Sequence, residues 1–377
     1  MNMCQRRALC IFLLLLLSIG VGPLAISGTA ASSSAGGLDS CGTAATPMSA
    51  KSVAPSREQS APSTPIAERS TRETDIALPG GATRFDYQVL DIGTGRLYLA
   101  HMGDGQIVVF DIAAQQVIGV IDNLPRVTGL ALIPGTSQLY ASVSAPHQIA
   151  AIDTRTNTVV ARFGDIGFPD GIDYAPPADR LFVSDESGGG EVVIDPKSNR
   201  VVDTIDLGGE AGNTHFDPGS GCMLVAVQSK DQLVAIDPSN DKITEAFDLE
   251  QACEGPHGFV LDAPNRRAFV SCEDNATLLD IDLSTMTTMA VFPVGDKPDV
   301  LAFDSGWKRL YVASESGTVS VFDEQQGQLA PIGEYRAAHA HTVSVDPATH
   351  LVYLPLEDVD GKPVLRIVSF PPPATAN

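Results

Sequence analysis

The chain has 377 residues and a formal net charge of −22, from 24 Lys and Arg against 46 Asp and Glu. So acidic a surface repels phosphate, which makes nucleic acid and anionic membranes poor partners. Aromatic residues make up only 6%, while Gly (34) and Pro (26) are frequent, as many short strands joined by tight turns require.

The N-terminus reads as an export signal. Arg6 and Arg7 precede the apolar run Leu9 to Leu17, small residues follow, and Gly28-Thr29-Ala30 supplies a cleavage site. Residues 1–30 are expected to leave, and the net charge then falls from −22 to −24 as the two Arg are lost. The mature chain would be periplasmic or secreted, with no stable membrane insertion. The apolar stretch can be read on to Ile26, nearly long enough to span a bilayer, so an uncleaved membrane anchor is the alternative. Pro23 and its neighbouring glycines favour cleavage. Residues 31–74 are rich in Ser, Ala, Pro, Thr and Gly and offer few core side chains, so a disordered tether is expected there.

From residue 75 to 373 one unit repeats. Its clearest copy is Leu139 to Phe163, LYASVSAPHQIAAIDTRTNTVVARF, which reads as three short strands and two turns. Thr154-Arg155-Thr156-Asn157 turns the chain, and β-branched Thr158, Val159 and Val160 begin the third strand. A bulky apolar anchor recurs at Tyr98, Tyr140, Phe182, Leu224, Phe269, Tyr311 and Tyr353, with gaps of 42, 42, 42, 45, 42 and 42. An Asp closes the next strand at Asp111, Asp153, Asp195, Asp237, Asp282 and Asp323. A period of about 40 to 45 residues with four strands per unit marks propeller blades. One blade cannot cover both its faces, whereas a closed ring covers every inner face and leaves no long open edge.

The last blade shows strands near 342–345, 351–354 and 365–370, and then meets Pro371-Pro372-Pro373, which cannot form a ladder strand. The missing fourth strand is expected from the other end of the chain, with Ile76 to Leu78 antiparallel to Leu365 to Phe370. Residues 374–377 form a short tail.

The phrases LYASVSAPHQIAAIDTRTNTVV, LFVSDESGGGEVVIDPKSNRVVDTI and MLVAVQSKDQLVAIDPSNDKIT resemble the YVTN repeat of YncE-like seven-bladed β-propellers. The resemblance extends from Ile76 to Phe370. It implies an all-β ring of seven four-stranded antiparallel blades, closed by the N-terminal strand. It implies no single activity, because such rings serve as enzymes, binding proteins and scaffolds.

In blades of this kind the start of the innermost strand and the end of the second share one face, here termed the upper face. Counting back twelve residues from each anchor gives one register around the mouth: Asp86, Thr128, Asp170, Gly212, His257, Asp299 and His341. Counting forward four gives a wider ring: Met102, Ser144, Glu186, Gln228, Glu273, Glu315 and Glu357. His101, His147 and His339 fall on the same face. Asp86, Asp170, His257, Asp299 and His341 are the candidate ligand-binding residues, since no turn requires them there.

Carboxylates with imidazoles can hold a divalent metal, and His257, Asp299 and His341 form the best arc for one. No other cofactor is indicated. Asp358-Val359-Asp360-Gly361 lacks the third Asp and terminal Glu of a calcium loop. No nucleophile elbow, phosphate-cradling loop, His-Glu-x-x-His or haem-attachment motif occurs. His257 beside Glu273 is the candidate catalytic pair, because a carboxylate can hold an imidazole near its working pKa.

Two functions compete. The first is a non-catalytic binding or scaffold protein, a monomer whose upper mouth takes a small ligand, a cation or a protein partner. The second is a lactonase- or lyase-like enzyme with a metal-assisted or His/Glu acid–base site at that mouth. A dehydrogenase-like propeller is a third, but it would need a quinone or haem partner, and no attachment residues are found.

Four cysteines remain after the signal is removed. Cys253 lies in the three-residue insertion of the 45-residue interval and Cys272 ends the neighbouring strand on the same face, so these two are expected to pair. Cys222 falls on the opposite face and Cys41 in the tether, so both are expected to be free or to pair only by accident.

Overall fold

The recurring Asp and the bulky anchor both have a mechanical role in the blades. Asp111 Oδ1 accepts the backbone N–H groups of Ala113 (3.0 Å) and Ala114 (2.8 Å), and Asp153, Asp195, Asp237 and Asp282 cap their own turns in the same way. The seven anchors are buried between blades, none more than 3% exposed. The computed structural model describes Cys41, Ile66, residues 71–249 and residues 251–373. The signal segment 1–30, most of the tether and the tail 374–377 lie outside the described residues.

Seven four-stranded antiparallel sheets form a ring. The innermost strands are Gln88–Asp91, Val127–Leu132, Pro169–Ala175, Ala211–Asp217, Pro256–Asp262, Pro298–Asp304 and Ser344–Asp346, in blades one to seven. Each touches the next, and the last touches the first. Side chains fasten that junction: Gln88 Nε2 donates to Thr342 Oγ1 at 3.2 Å, and Ser344 Oγ donates to Gln88 Oε1 at 2.9 Å.

Blade seven takes its outermost strand from the N-terminal end. Arg72–Ala77 runs antiparallel to Lys362–Ser369, with Ile76 opposite Leu365. The strand starts at Arg72, inside the segment expected to be tether, and ends at Ala77; Leu78 adds one backbone bond to Pro363 O at 3.0 Å. Its early residues are polar and carry no strand pattern. They are held through charge, because Arg366 donates to both Asp75 oxygens at 2.8 and 2.7 Å. Leu351–Val359 and Lys362–Ser369 form a longer hairpin than expected. Its turn is Asp360-Gly361, both at positive φ, with Gly361 N donating to Asp358 Oδ1 at 2.6 Å.

The tether is also anchored at two described points. Cys41 is bonded to Cys222, with Cα atoms 5.3 Å apart, which corrects the expectation that each is free or pairs only by accident. A separation of 181 residues leaves no local spacing from which that bond could be read. Ile66 is 2% exposed and packs in the apolar cluster of blades six and seven, with Tyr335 and Phe370. Cys253 and Cys272 are bonded as well, with Cα atoms 5.2 Å apart, inside the span that a disulfide bridges. All four cysteines belong to one apolar cluster between blades four and five. No helix among the described residues is long and apolar enough to cross a membrane.

Candidate functional site

Five of the seven mouth residues sit in a repeated irregularity of the inner strands, while Asp86 and His341 precede theirs. In blades two to six the pairing of the inner strand with its neighbour skips two residues, as between Pro256 and Phe259 or Pro298 and Leu301. The skipped residues are Thr128-Gly129, Asp170-Gly171, Gly212-Asn213, His257-Gly258 and Asp299-Val300. A bulge of this kind turns a side chain away from the ladder. The glycine that follows lets neighbouring blades approach: a Cβ on Gly129 would meet Asp170 O at 2.1 Å, and one on Gly258 would meet Asp299 O at 1.7 Å. In blades two to six the bulge therefore aims the mouth side chain, and in blades two and five the following glycine lets the adjacent blade's backbone approach.

On the floor of the mouth, His257 Nε2 lies 3.3 Å from Asp299 Oδ1. Arg84 bridges the inner and outer rings, with its guanidinium 3.6 Å from Asp299 Oδ2 and donating to Glu315 Oε1 at 2.7 Å. Tyr87 OH donates to Asp170 Oδ2 at 3.0 Å. Asp86, Asp170, Asp299 and His341 are buried, at 6%, 5%, 8% and 3% exposure. Among the described residues the Asp86 carboxyl has no hydrogen-bond partner, and His341 Nε2 and His257 Nδ1 have none either.

Burial and charge sort these groups into two protonation classes. Burial opposes the charge on His257, but Asp299 as partner and anion, aided by Asp170 and Glu273, raises its pKa to about 10. Burial would raise Asp299, yet His257, then His341 and Arg84, hold it below the ordinary carboxylate range. Burial, followed by Asp170 and Asp299, pushes Asp86 well above that range. Burial also raises Asp170, with His257 opposing and Asp299 adding. His341 is lowered to about 4 by burial, which Asp299 only partly offsets. At neutral pH the mouth thus holds an imidazolium–carboxylate pair beside a neutral imidazole, while Asp86 and Asp170 bind a proton more readily than an ordinary carboxylate does.

Three of the four outer-ring glutamates are paired with basic side chains of the same face. Glu273 Oε1 is 3.3 Å from Lys297 Nζ, Glu315 takes Arg84, and Glu357 lies 3.9 Å from His339. Glu186 is raised to about 7, by burial first and then by the charge of Asp170. The expected His257–Glu273 pair is not formed as a contact: Asp299 is the ion-pair partner of His257 and Lys297 that of Glu273.

His257, Asp299 and His341 do not make the expected metal arc. Among the described residues no group of three or more His, Cys, Asp or Glu could hold a metal ion. Of that arc, His257 and Asp299 are turned to each other, with Nε2 3.3 Å from Oδ1. The other upper-face histidines serve the loops. His101 is fully buried, stacked on Phe85 with ring centroids 4.0 Å apart and bonded to Thr83 and Gln106. His147 Nδ1 donates to Gly167 O at 2.6 Å.

Arg84 and Tyr87 are missed by a count of one residue per blade. They flank Asp86 at positions 84 and 87, and the signal available was the cluster Arg84-Phe85-Asp86-Tyr87 itself, with Arg126 and Lys297 in the register of Arg84 in two other blades.

No protein-family model and no curated protein matches the sequence. Solved structures match the fold. Virginiamycin B lyase from Staphylococcus aureus superposes with a TM-score of 0.67 at 12% identity, over 80% of this chain and 99% of that one. A streptogramin B lyase gives 0.66 at 10% identity, over 80% and 98%. The WD40 repeats of RRP9 give 0.67 at 11% identity, over 82% and 99%. At such identities the likeness is one of fold: this chain is a seven-bladed β-propeller, similar in architecture to lyases and to WD40 rings alike.

Proposed function

We propose that the chain is an exported, monomeric β-propeller of the YVTN-repeat, YncE-like kind that binds a polar ligand or partner group in its upper mouth. One observation carries this reading. Among the described residues, His341 Nε2 is buried without a partner, and on the adjacent blade the buried Asp86 carboxyl receives no side-chain or backbone hydrogen bond. Buried polar groups are almost always hydrogen-bonded, and leaving one unmade costs about 1–3 kcal/mol. At the lower end many polar groups are taken up by turn capping: Asp346 caps Ala348 (2.9 Å) and Thr349 (2.7 Å), and Asp262 takes Asn265 at 2.7 Å.

The test is a His257→Ala/His341→Ala variant that still melts cooperatively, screened beside the wild type for polar small molecules by ligand-observed NMR. Loss of the wild-type ligands supports the reading. Unchanged binding would move the site to the outer blade edges, where a partner could add a strand.

A second reading, a lactone hydrolase or lyase, draws on a separate observation. The mouth pairs a proton-loaded His257 with a proton-free His341, and groups whose surroundings push their pKa values apart suit acid–base work. Turnover in a lactone screen that disappears with either His would favour it over simple binding.

A further inference from the structure

The floor of the mouth is one positive charge short. Asp86, Asp170 and Asp299 are three buried carboxyls. The cations that face them are His257 and Arg84, and both reach Asp299, at 3.3 and 3.6 Å. Arg84 is shared further with Glu315. Asp170 receives a neutral donor, Tyr87 OH. Among the described residues Asp86 receives no hydrogen bond, and His341, on the neighbouring blade and 3% exposed, holds Nε2 without a partner.

We propose that the mouth takes a small organic monocation, with a primary ammonium group seated between the Asp86 carboxylate and the His341 ring. This rests on the mouth being the binding site, as proposed above. An ammonium carries one charge and three N–H donors. One donor would meet Asp86, and another His341 Nε2 in the tautomer protonated at Nδ1. The third would reach a remaining carboxylate oxygen of the floor.

Other ligand classes fit less well. An anion would enter against three carboxyls with both local cations already engaged. A bare divalent ion would need a converging ligand set, which the described residues do not provide. A quaternary ammonium has no N–H to offer the two unpartnered groups, and it favours an aromatic cage.

The experiment is an NMR titration of the wild-type protein with propylammonium, propan-1-ol, propionate and magnesium chloride, followed on the ring signals of His257 and His341. The four probes are small and differ mainly in charge. Propylammonium is expected to shift both rings and to bind at least about tenfold more tightly than the alcohol or the acid. Asp86→Asn should weaken it by about tenfold or more, as loss of one partner of a buried charge pair does. Should propanol, propionate or magnesium shift the rings at lower concentration, the ammonium assignment is overturned while mouth binding stands. Equal propylammonium binding by Asp86→Asn overturns the seat at Asp86. If none of the four shifts either ring, the ammonium proposal fails, and the polar-ligand screen against the His257→Ala/His341→Ala variant decides the mouth-binding reading separately. The wild-type charge series decides by itself should Asp86→Asn not fold.

Discussion

His257 and Asp299 meet across the boundary between blades five and six, Nε2 to Oδ1 at 3.3 Å. The contact decides the protonation of the mouth. His257 is raised from 6.5 to about 10, so folding increases its hold on the proton. Its contribution to stability is complete below pH 6.5 and is lost as pH rises through about 10. Asp299→Asn removes the largest raising cause and leaves burial dominant. The variant's His257 should therefore titrate well below the wild-type value, with stability lowered by about 3–5 kcal/mol. Titration of the His257 ring signal in both proteins checks this, and an unchanged midpoint would mean that Asp299 is not the controlling partner.

Glu191 is fully buried, with Oε2 3.4 Å from Ser184 Oγ and Oε1 unpartnered. Burial raises it from 4.5 to about 8, with Thr214 and Ser184 opposing. The folded state keeps a proton that the unfolded state releases across that window, so stability falls as pH rises from 4.5 to about 8. Glu191→Gln should remove that slope, on the order of 1.4 kcal/mol per pH unit. Denaturant melts of both proteins at pH 5 and pH 8 (conditions chosen about the window) measure the difference. Parallel pH profiles would show that Glu191 ionises freely in the folded ring.

The two disulfides close loops of very different length, 181 and 19 residues of separation. Chain entropy assigns roughly 3 kcal/mol to a loop of about 15 residues and nearly 5 to one of about 100. Cys41→Ala should therefore destabilise the ring more than Cys253→Ala does, in guanidinium melts under non-reducing conditions. The reverse order would point to packing in the shared apolar cluster, not loop closure, as the main contribution of these bonds.

Ile66 is buried against Tyr335 and Phe370 although its surroundings in the sequence are polar. Ile66→Ala should cost about 2–5 kcal/mol, the range for truncating a buried aliphatic side chain. A loss below half a kcal/mol (the scale of a surface change) would show that this contact is not retained in solution.

Seven blades could be read from the sequence because each feature behind the 42-residue period is local. The turn-capping Asp111 or Asp153 acts within three residues of itself, and Tyr98 or Tyr140 reports burial at one position. The mouth positions followed from the same period. The partnerships did not, because they cross between blades: Asp299 lies 42 residues from His257, and Glu273, nearer in the sequence, turns to Lys297. Arg84 and Tyr87 were hidden because the count took one position per blade and they stand two before and one after it. Cys41 and Ile66 were hidden because single side chains in a polar segment carry no periodicity, and the strand from Arg72 because its charged residues pair with Arg366 and not with an apolar face.

The central claim is that the upper mouth is the place where this protein binds. A high-resolution crystal structure of the protein soaked with propylammonium tests it most directly. The account predicts a bound molecule within hydrogen-bonding distance of both the Asp86 carboxyl and His341 Nε2, with the His257–Asp299 pair intact. An empty mouth, with the molecule held instead on the outer blade edges, would contradict it.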